Sequence, residues 1–289
     1  MTYGKVISGS GNTNLFGPSI FIQTNTTAFK TIYTNYSTTG DGVVVTGGIF
    51  VFTGNNTNNG TLNVNGGALV VNGKVASVVN VNNSEYLGGH GNINADVNDN
   101  GITAPGINET MSYANLGSTG RTIGTASAFD TLTITGNLIW NPDNTINIFH
   151  LNSANSTAIS DRVNVVGNIT YAGSGTNPID FDFQDTGFFD GTHPTTYTLM
   201  TATQGINLGQ LALSDFQALN VWAGGAGSNF GQSRFIIVNT GGLSQALEFV
   251  VVPEPSTWGL LAGGAMLLLG LRRKRLLAKA AKAGVNTQA

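Results

Sequence analysis

From about Gly47 onward the chain sets short apolar runs between Gly and Asn, and within each run apolar and polar positions alternate with a period near two. The clearest runs are Ile49-Phe50-Val51-Phe52, Thr61-Leu62-Asn63-Val64, Ala68-Leu69-Val70-Val71 and Val78-Val79-Asn80-Val81. Leu132-Thr133-Ile134, Asn137-Leu138-Ile139-Trp140, Thr145-Ile146-Asn147-Ile148-Phe149, Val163-Asn164-Val165-Val166 and Asn168-Ile169-Thr170-Tyr171 continue the series. All are rich in β-branched residues, which predicts strands with one buried face. Asn59-Gly60, Asn65-Gly66, Asn72-Gly73 and Asn100-Gly101 separate them, and the glycine accepts the positive φ that a tight turn demands. Helical periodicity is missing before residue 252, so the body is expected to be all-β.

Many short strands with closely spaced turns suit two architectures, a solenoid and a β-sandwich. Residues 60–73 form a strand-turn-strand unit and residues 131–140 are similar to it, which favours the solenoid and leaves the sandwich as the alternative. Stacked coils would put Val, Ile and Leu inside and Asn and Thr in ladders at the turns. The pattern divides the chain into an N-terminal β segment (1–46), which a truncated solenoid would also explain, a solenoid (47–200) and a C-terminal β segment (201–248). A distinct C-terminal signal (252–275) and a basic tail (276–289) follow.

Composition sharpens this picture. Only 9% of the 289 residues are charged and 40 are glycine, against about 25% charged in an ordinary soluble domain. Asn, Ser and Thr must therefore solvate the surface. Residues 1–252 hold six Lys or Arg and fourteen Asp or Glu, a net charge of −8, while six cations follow Leu271. An acidic body lacks the clustered cations that nucleic acid requires, so no nucleic-acid partner is expected. There is no cysteine, which removes disulfides and thiolate chemistry. The first residues, Met1 to Ser8, contain no apolar run of the length a signal peptide needs. The chain is expected either to be a fragment or to have its true start upstream.

Residues 60–106, with Leu87-Gly88-Gly89-His90-Gly91-Asn92-Ile93 and Ile102-Thr103-Ala104-Pro105-Gly106, resemble the strand repeat of autotransporter-type passenger domains. The stretch from Leu132 through Asp161-Arg162-Val163-Asn164-Val165 to Tyr197-Thr198-Leu199-Met200 is similar to the segment that follows it in that family. The resemblance implies a right-handed β-solenoid displayed outside the cell. Autotransporters end in a membrane β-barrel of alternating strands of about ten residues, for which this sequence leaves no room. Another device is expected to hold the body at the surface.

That device is read at Val252-Pro253-Glu254-Pro255-Ser256-Thr257-Trp258 and beyond. Pro253 and Pro255 exclude a helix through themselves and push their predecessors towards extended geometry. An uncharged run from Trp258 to Leu271 follows, and then Arg272-Arg273-Lys274-Arg275. Fourteen helical residues span about 21 Å, short of the ~30 Å hydrocarbon core, but snorkelling Arg and Lys lengthen the effective span. A transmembrane helix over 258–271 is expected, with the basic tail cytoplasmic. Pro253, Glu254 and Pro255, the apolar helix and the Arg-rich cluster together resemble the PEP-CTERM sorting signal of exported proteins in Gram-negative bacteria. That resemblance implies processing near Pro253–Pro255 by an exosortase and delivery of the body to the cell envelope or extracellular matrix. The expected partners are thus the exosortase, the lipid bilayer and exopolysaccharide.

Candidate chemistry is sparse. Asp180 and Asp182 share one face of Ile179-Asp180-Phe181-Asp182-Phe183, with Asp185 and Asp190 nearby. Such a pair could bind calcium or serve a polysaccharide-active β-helix as acid and base; the plainer reading is a solvated strand face. His90, His150 and His193 lack short ligand spacing. Gly-x-Ser-x-Gly does not occur, and Gly224-Gly225-Ala226-Gly227 is not followed by the Lys-Ser or Lys-Thr of a phosphate loop. The expectation is a structural protein without catalysis or cofactor, the alternative a carbohydrate- or calcium-binding module on the same scaffold.

Overall fold

A computed structural model describes residues 21–23, 30–34, 43–57, 59–105, 129–141, 145–152, 158–173, 178–185, 195–219, 233–252 and 266. The strands are β1 (Phe21–Gln23), β2 (Lys30–Thr34), β3 (Val43–Thr53), β4 (Asn55–Asn56), β5 (Thr61–Val71), β6 (Lys74–Val75), β7 (Val78–Val81) and β8 (Tyr86–Gly88). After them come β9 (Asn92–Ile93), β10 (Val97–Asp99), β11 (Ile102–Ala104), β12 (Thr131–Ile134), β13 (Leu138–Trp140), β14 (Ile146–Asn152), β15 (Ile159–Ser160) and β16 (Arg162–Val165). The last are β17 (Ile169–Tyr171), β18 (Ile179–Asp185), β19 (Thr195–Ala202), β20 (Ile206–Asn207), β21 (Phe216–Leu219), β22 (Arg234–Gly241) and β23 (Ser244–Val251).

Pairing is almost wholly parallel, and strands two to four apart in the chain meet as counterparts in successive coils. β4, β6, β9, β12, β16 and β19 form one ladder. The first half of β5 opens a second, with β7, β10, β13, β17 and β20. The second half of β5 opens a third, with β8, β11, β14, β18 and β21. The body is thus an all-β coil of parallel ladders, which the sandwich, built from antiparallel sheets, does not match. β3 runs through position 46 and β19 through position 200, so the chain continues in strand across both expected boundaries.

The register makes apolar columns that run through the coil. Leu62, Val79, Val97, Leu138 and Ile169 form one column, and Val75, Ile93, Ile134, Val165 and Ala202 another, all buried. Large rings gather where the parallel ladders end: Phe181 lies 4.7 Å from Phe235, and Phe183 lies 4.5 Å from Phe249, between ring centroids. β23 pairs antiparallel with β19, and β22 with β23, so a hairpin delivers Phe235 and Phe249 over the last coils. A second buried cluster, including Ile49, Val70, Tyr86, Ile102 and Ile148, lies on the other face of the third ladder.

Corners set the stacking distance. A Cβ at Gly91 would overlap the carbonyl oxygen of Gly73, and one at Gly73 would overlap that of Gly54. The turn at Gly91 donates its N–H to Val71 O at 2.6 Å, and Asn92 N donates to Gly73 O at 2.8 Å, so the corner cannot retreat without breaking the ladder. Another corner carries the expected amide ladder. Asn137 donates through N and Nδ2 to Asp96 Oδ1 at 2.7 and 3.0 Å, and Asn168 N donates to Asn137 Oδ1 at 2.9 Å. Gly91→Ala is expected to cost about 2 kcal/mol or more through forced backbone displacement, read as a fall in the thermal midpoint by circular dichroism. An unchanged midpoint would show that the corners do not limit the stack.

Candidate functional site

A groove of about 560 Å³ lies on the outer face of the second ladder, lined by Asn63, Asn65, Asn80, Asn82, Asn98, Asn100 and Asn141 with Val81. Its origin is the Asn-x-Asn pattern. In β5, β7 and β10 the residue between the two asparagines points inward (Val64, Val81, Asp99), so both amides of each strand point outward. Coils of 17 and 18 residues then place like on like. Asn80 Nδ2 donates to Asn63 Oδ1 and Asn98 Nδ2 to Asn80 Oδ1, both at 2.8 Å. In the second column Asn82 Nδ2 donates to Asn65 Oδ1 at 2.7 Å, and Asn100 Oδ1 is buried with no hydrogen-bond partner among the described residues. Val44 pairs with Asn63 and Ile139 with Asn98, so apolar residues bound the first column at both ends.

Behind this face one coil has a polar interior. Asp99 is fully buried, between Val81 and Trp140 in register, and accepts hydrogen bonds from Gly101 N at 3.0 Å and Thr103 Oγ1 at 2.8 Å. Burial raises its pKa to about 6, against the smaller opposing effect of those two donors. Asn147, next to Thr103 in register, is also fully buried, and neither its Nδ2 nor its Oδ1 has a partner among the described residues.

A third group links distant parts of the chain. Asp161 is buried and accepts from His150 N at 2.8 Å and from Asp130 N at 2.9 Å, and its Oδ2 lies 2.7 Å from His150 Nδ1. Asp130 is itself 4.0 Å from His90, which is half-exposed. Burial raises the Asp130 pKa; His90 opposes this, Asp161 reinforces it and His150 opposes it. The His150–Asp161 pair has the contact of a catalytic dyad, but both side chains are closed to solvent and Ser160 Oγ is committed to Thr198 O at 2.7 Å. The arrangement is suited to clamping residues 130, 150 and 161 together.

The residues singled out from sequence are placed differently. Asp182 is fully buried in β18, with Ile148 and Leu219 beside it in register, and Asp180 sits between Ile146 and Gln217. This strand therefore does not present the solvated face expected for it. Asp185 pairs with Leu151, and Asp190 and His193 lie outside the described residues. Among the described residues no three His, Asp or Glu side chains are placed to hold a metal ion. Pro253, Glu254, Pro255, Arg272, Arg273, Lys274 and Arg275 also lie outside them. Among the described residues no helix is long and apolar enough to cross a membrane.

Comparison with known families gives a match at one place. Residues 251–275 match the PEP-CTERM protein-sorting motif, which points to an exported, envelope-associated protein whose processing partner is an exosortase. No curated protein matches the chain. The match begins at Val251, the last residue of β23, which is buried and paired with Thr195.

Asp99 supplies a pH test. Its proton is held more tightly in the folded chain than in the unfolded one, so its contribution to the free energy of unfolding is greatest below about pH 4 and is lost as pH rises through 6. A shift from 3.8 to about 6 corresponds to about 3 kcal/mol. Denaturant titrations at pH 4.5 and pH 7.5 are expected to show the native chain more stable at the lower pH, and Asp99→Asn to lose most of that difference. Equal pH dependence in the two proteins would contradict the assignment.

Proposed function

We propose that this chain is an exported structural protein of the cell surface or extracellular matrix, a right-handed β-solenoid held by a C-terminal membrane helix and processed at Pro253-Glu254-Pro255 by an exosortase. The match of residues 251–275 to the sorting motif carries this reading. The handedness follows the general rule that parallel crossovers are right-handed in about 98% of cases. The anchor follows from the uncharged run 258–271 and the cations Arg272, Arg273, Lys274 and Arg275. The passenger-like body and its exposure to exopolysaccharide belong to the same proposal. So does the absence of catalysis, favoured by the closure of the His150–Asp161 pair to solvent.

The position of the motif suits its use. β23 ends at Val251 and Val252 N still donates to Ser233 Oγ at 3.4 Å, whereas the Pro-Glu-Pro triplet begins one residue later. Cleavage within residues 253–255 therefore removes none of the described strands and leaves the Phe235–Phe249 closure intact. In its native host, the chain ended after Val252 is expected to keep its thermal midpoint yet to move from the envelope fraction to the medium. If it fractionates like the full chain, the motif does not direct retention.

A further inference from the structure

The geometry points to the asparagine groove of β5, β7, β10 and β13 as a docking face for a neutral, hydroxyl-rich polysaccharide strand lying along the axis of the coil. The inference deepens the surface-protein reading and rests on it only for bringing the chain and such a polymer into the same place.

Three observations carry it. The groove is lined by seven asparagines and no ionisable side chain, in a body whose charge is acidic. Uncharged amides do not select an anionic or cationic polymer, so the ligand they fit is neutral. Each ladder amide offers two N–H donors and two acceptor lone pairs. The rung-to-rung bonds at 2.7 to 2.8 Å use one donor of the giving amide and one lone pair of the receiving one. What remains projects outward as a repeated donor and acceptor, the complement of a hydroxyl that both gives and takes a hydrogen bond.

The second observation is that the rungs hold the amides in place. Asn63 and Asn80 each serve a neighbour, so little side-chain freedom is left to lose when a ligand binds. Third, the columns run across strands. Four rungs at the 4.7–4.9 Å strand spacing make a row about 14 Å long, from Asn65 through Asn82 and Asn100 to Asn141. A row of that length suits a linear polymer with a repeated hydroxyl pattern better than a single small molecule. With no aromatic side chain in the lining there is no stacking platform, so affinity comes from many weak bonds along the polymer.

Affinity electrophoresis of the purified full chain through gels containing hydroxyethylcellulose, dextran or alginate tests this. Retardation is expected in at least one neutral gel, unaffected by salt, and none beyond that of an empty gel in alginate. Asn65→Thr/Asn82→Thr and, separately, Asn82→Asp are expected to weaken retardation about tenfold. Asn94→Ala, on the first ladder where Asn94 Oδ1 accepts from Thr135 Oγ1 at 3.1 Å, is expected to leave it unchanged. The single isosteric change keeps the test valid if the double variant is misfolded. No retardation by either neutral polymer, equal retardation of the groove variants, or salt-sensitive binding to alginate alone would overturn the inference. Because the assay uses purified chain, its failure is distinct from a failure of sorting.

Discussion

Parallel in-register stacking is the constraint on which every other feature of this molecule depends. Once Asn63 opposes Asn80 and Asn80 opposes Asn98, the rest of each rung follows: inward residues are apolar apart from a few polar ones such as Asp99, corners must let backbone approach backbone, and outward residues form rows. The glycines at 73 and 91 let backbone approach backbone by lacking Cβ, and the other corner combines glycines at 136 and 167 with amides at 137 and 168 that bond each turn to its neighbour. A sheet built this way also has an open last coil. The antiparallel β22–β23 hairpin closes it with phenylalanines, and the sorting motif begins on the final residue of that hairpin.

The polar features divide by depth. Outside, asparagines bond to one another with one donor and one acceptor per rung and still present hydrogen-bonding capacity to solvent or ligand. Inside, the same chemistry is costly: Asp99 needs two donors and still holds its proton to about pH 6. Asp161 is satisfied by three contacts from residues 130 and 150, which makes it a clamp between parts of the chain that sequence separates. Neither interior group is reached by solvent.

Much of the fold was legible because apolar, largely β-branched runs mark β5, β7, β12, β13, β14, β16 and β17 in the sequence. The strands β6, β8, β9 and β11 were not, since Lys74, Gly88, Asn92 and Ala104 take up positions in strands of only two or three residues and leave no apolar run to read. The groove was visible only as repeated Asn-x-Asn; its two columns depend on coil lengths of 17 and 18, and residues 106–128 interrupt the count before Asn141 joins it. Asp182 misled for a physical reason. An Asp-Phe-Asp-Phe alternation implies one wet face, but the face of β18 that carries Asp182 continues the row of Ile148 and Ala104, and it is buried.

The central claim is that this stack is made to be exported and then parted from its C-terminal segment. Intact-mass measurement of the chain recovered from the envelope of its native host tests that claim most directly. The account predicts a C-terminus within residues 253–256, immediately beyond β23. Recovery of the chain ending at Ala289 would contradict it.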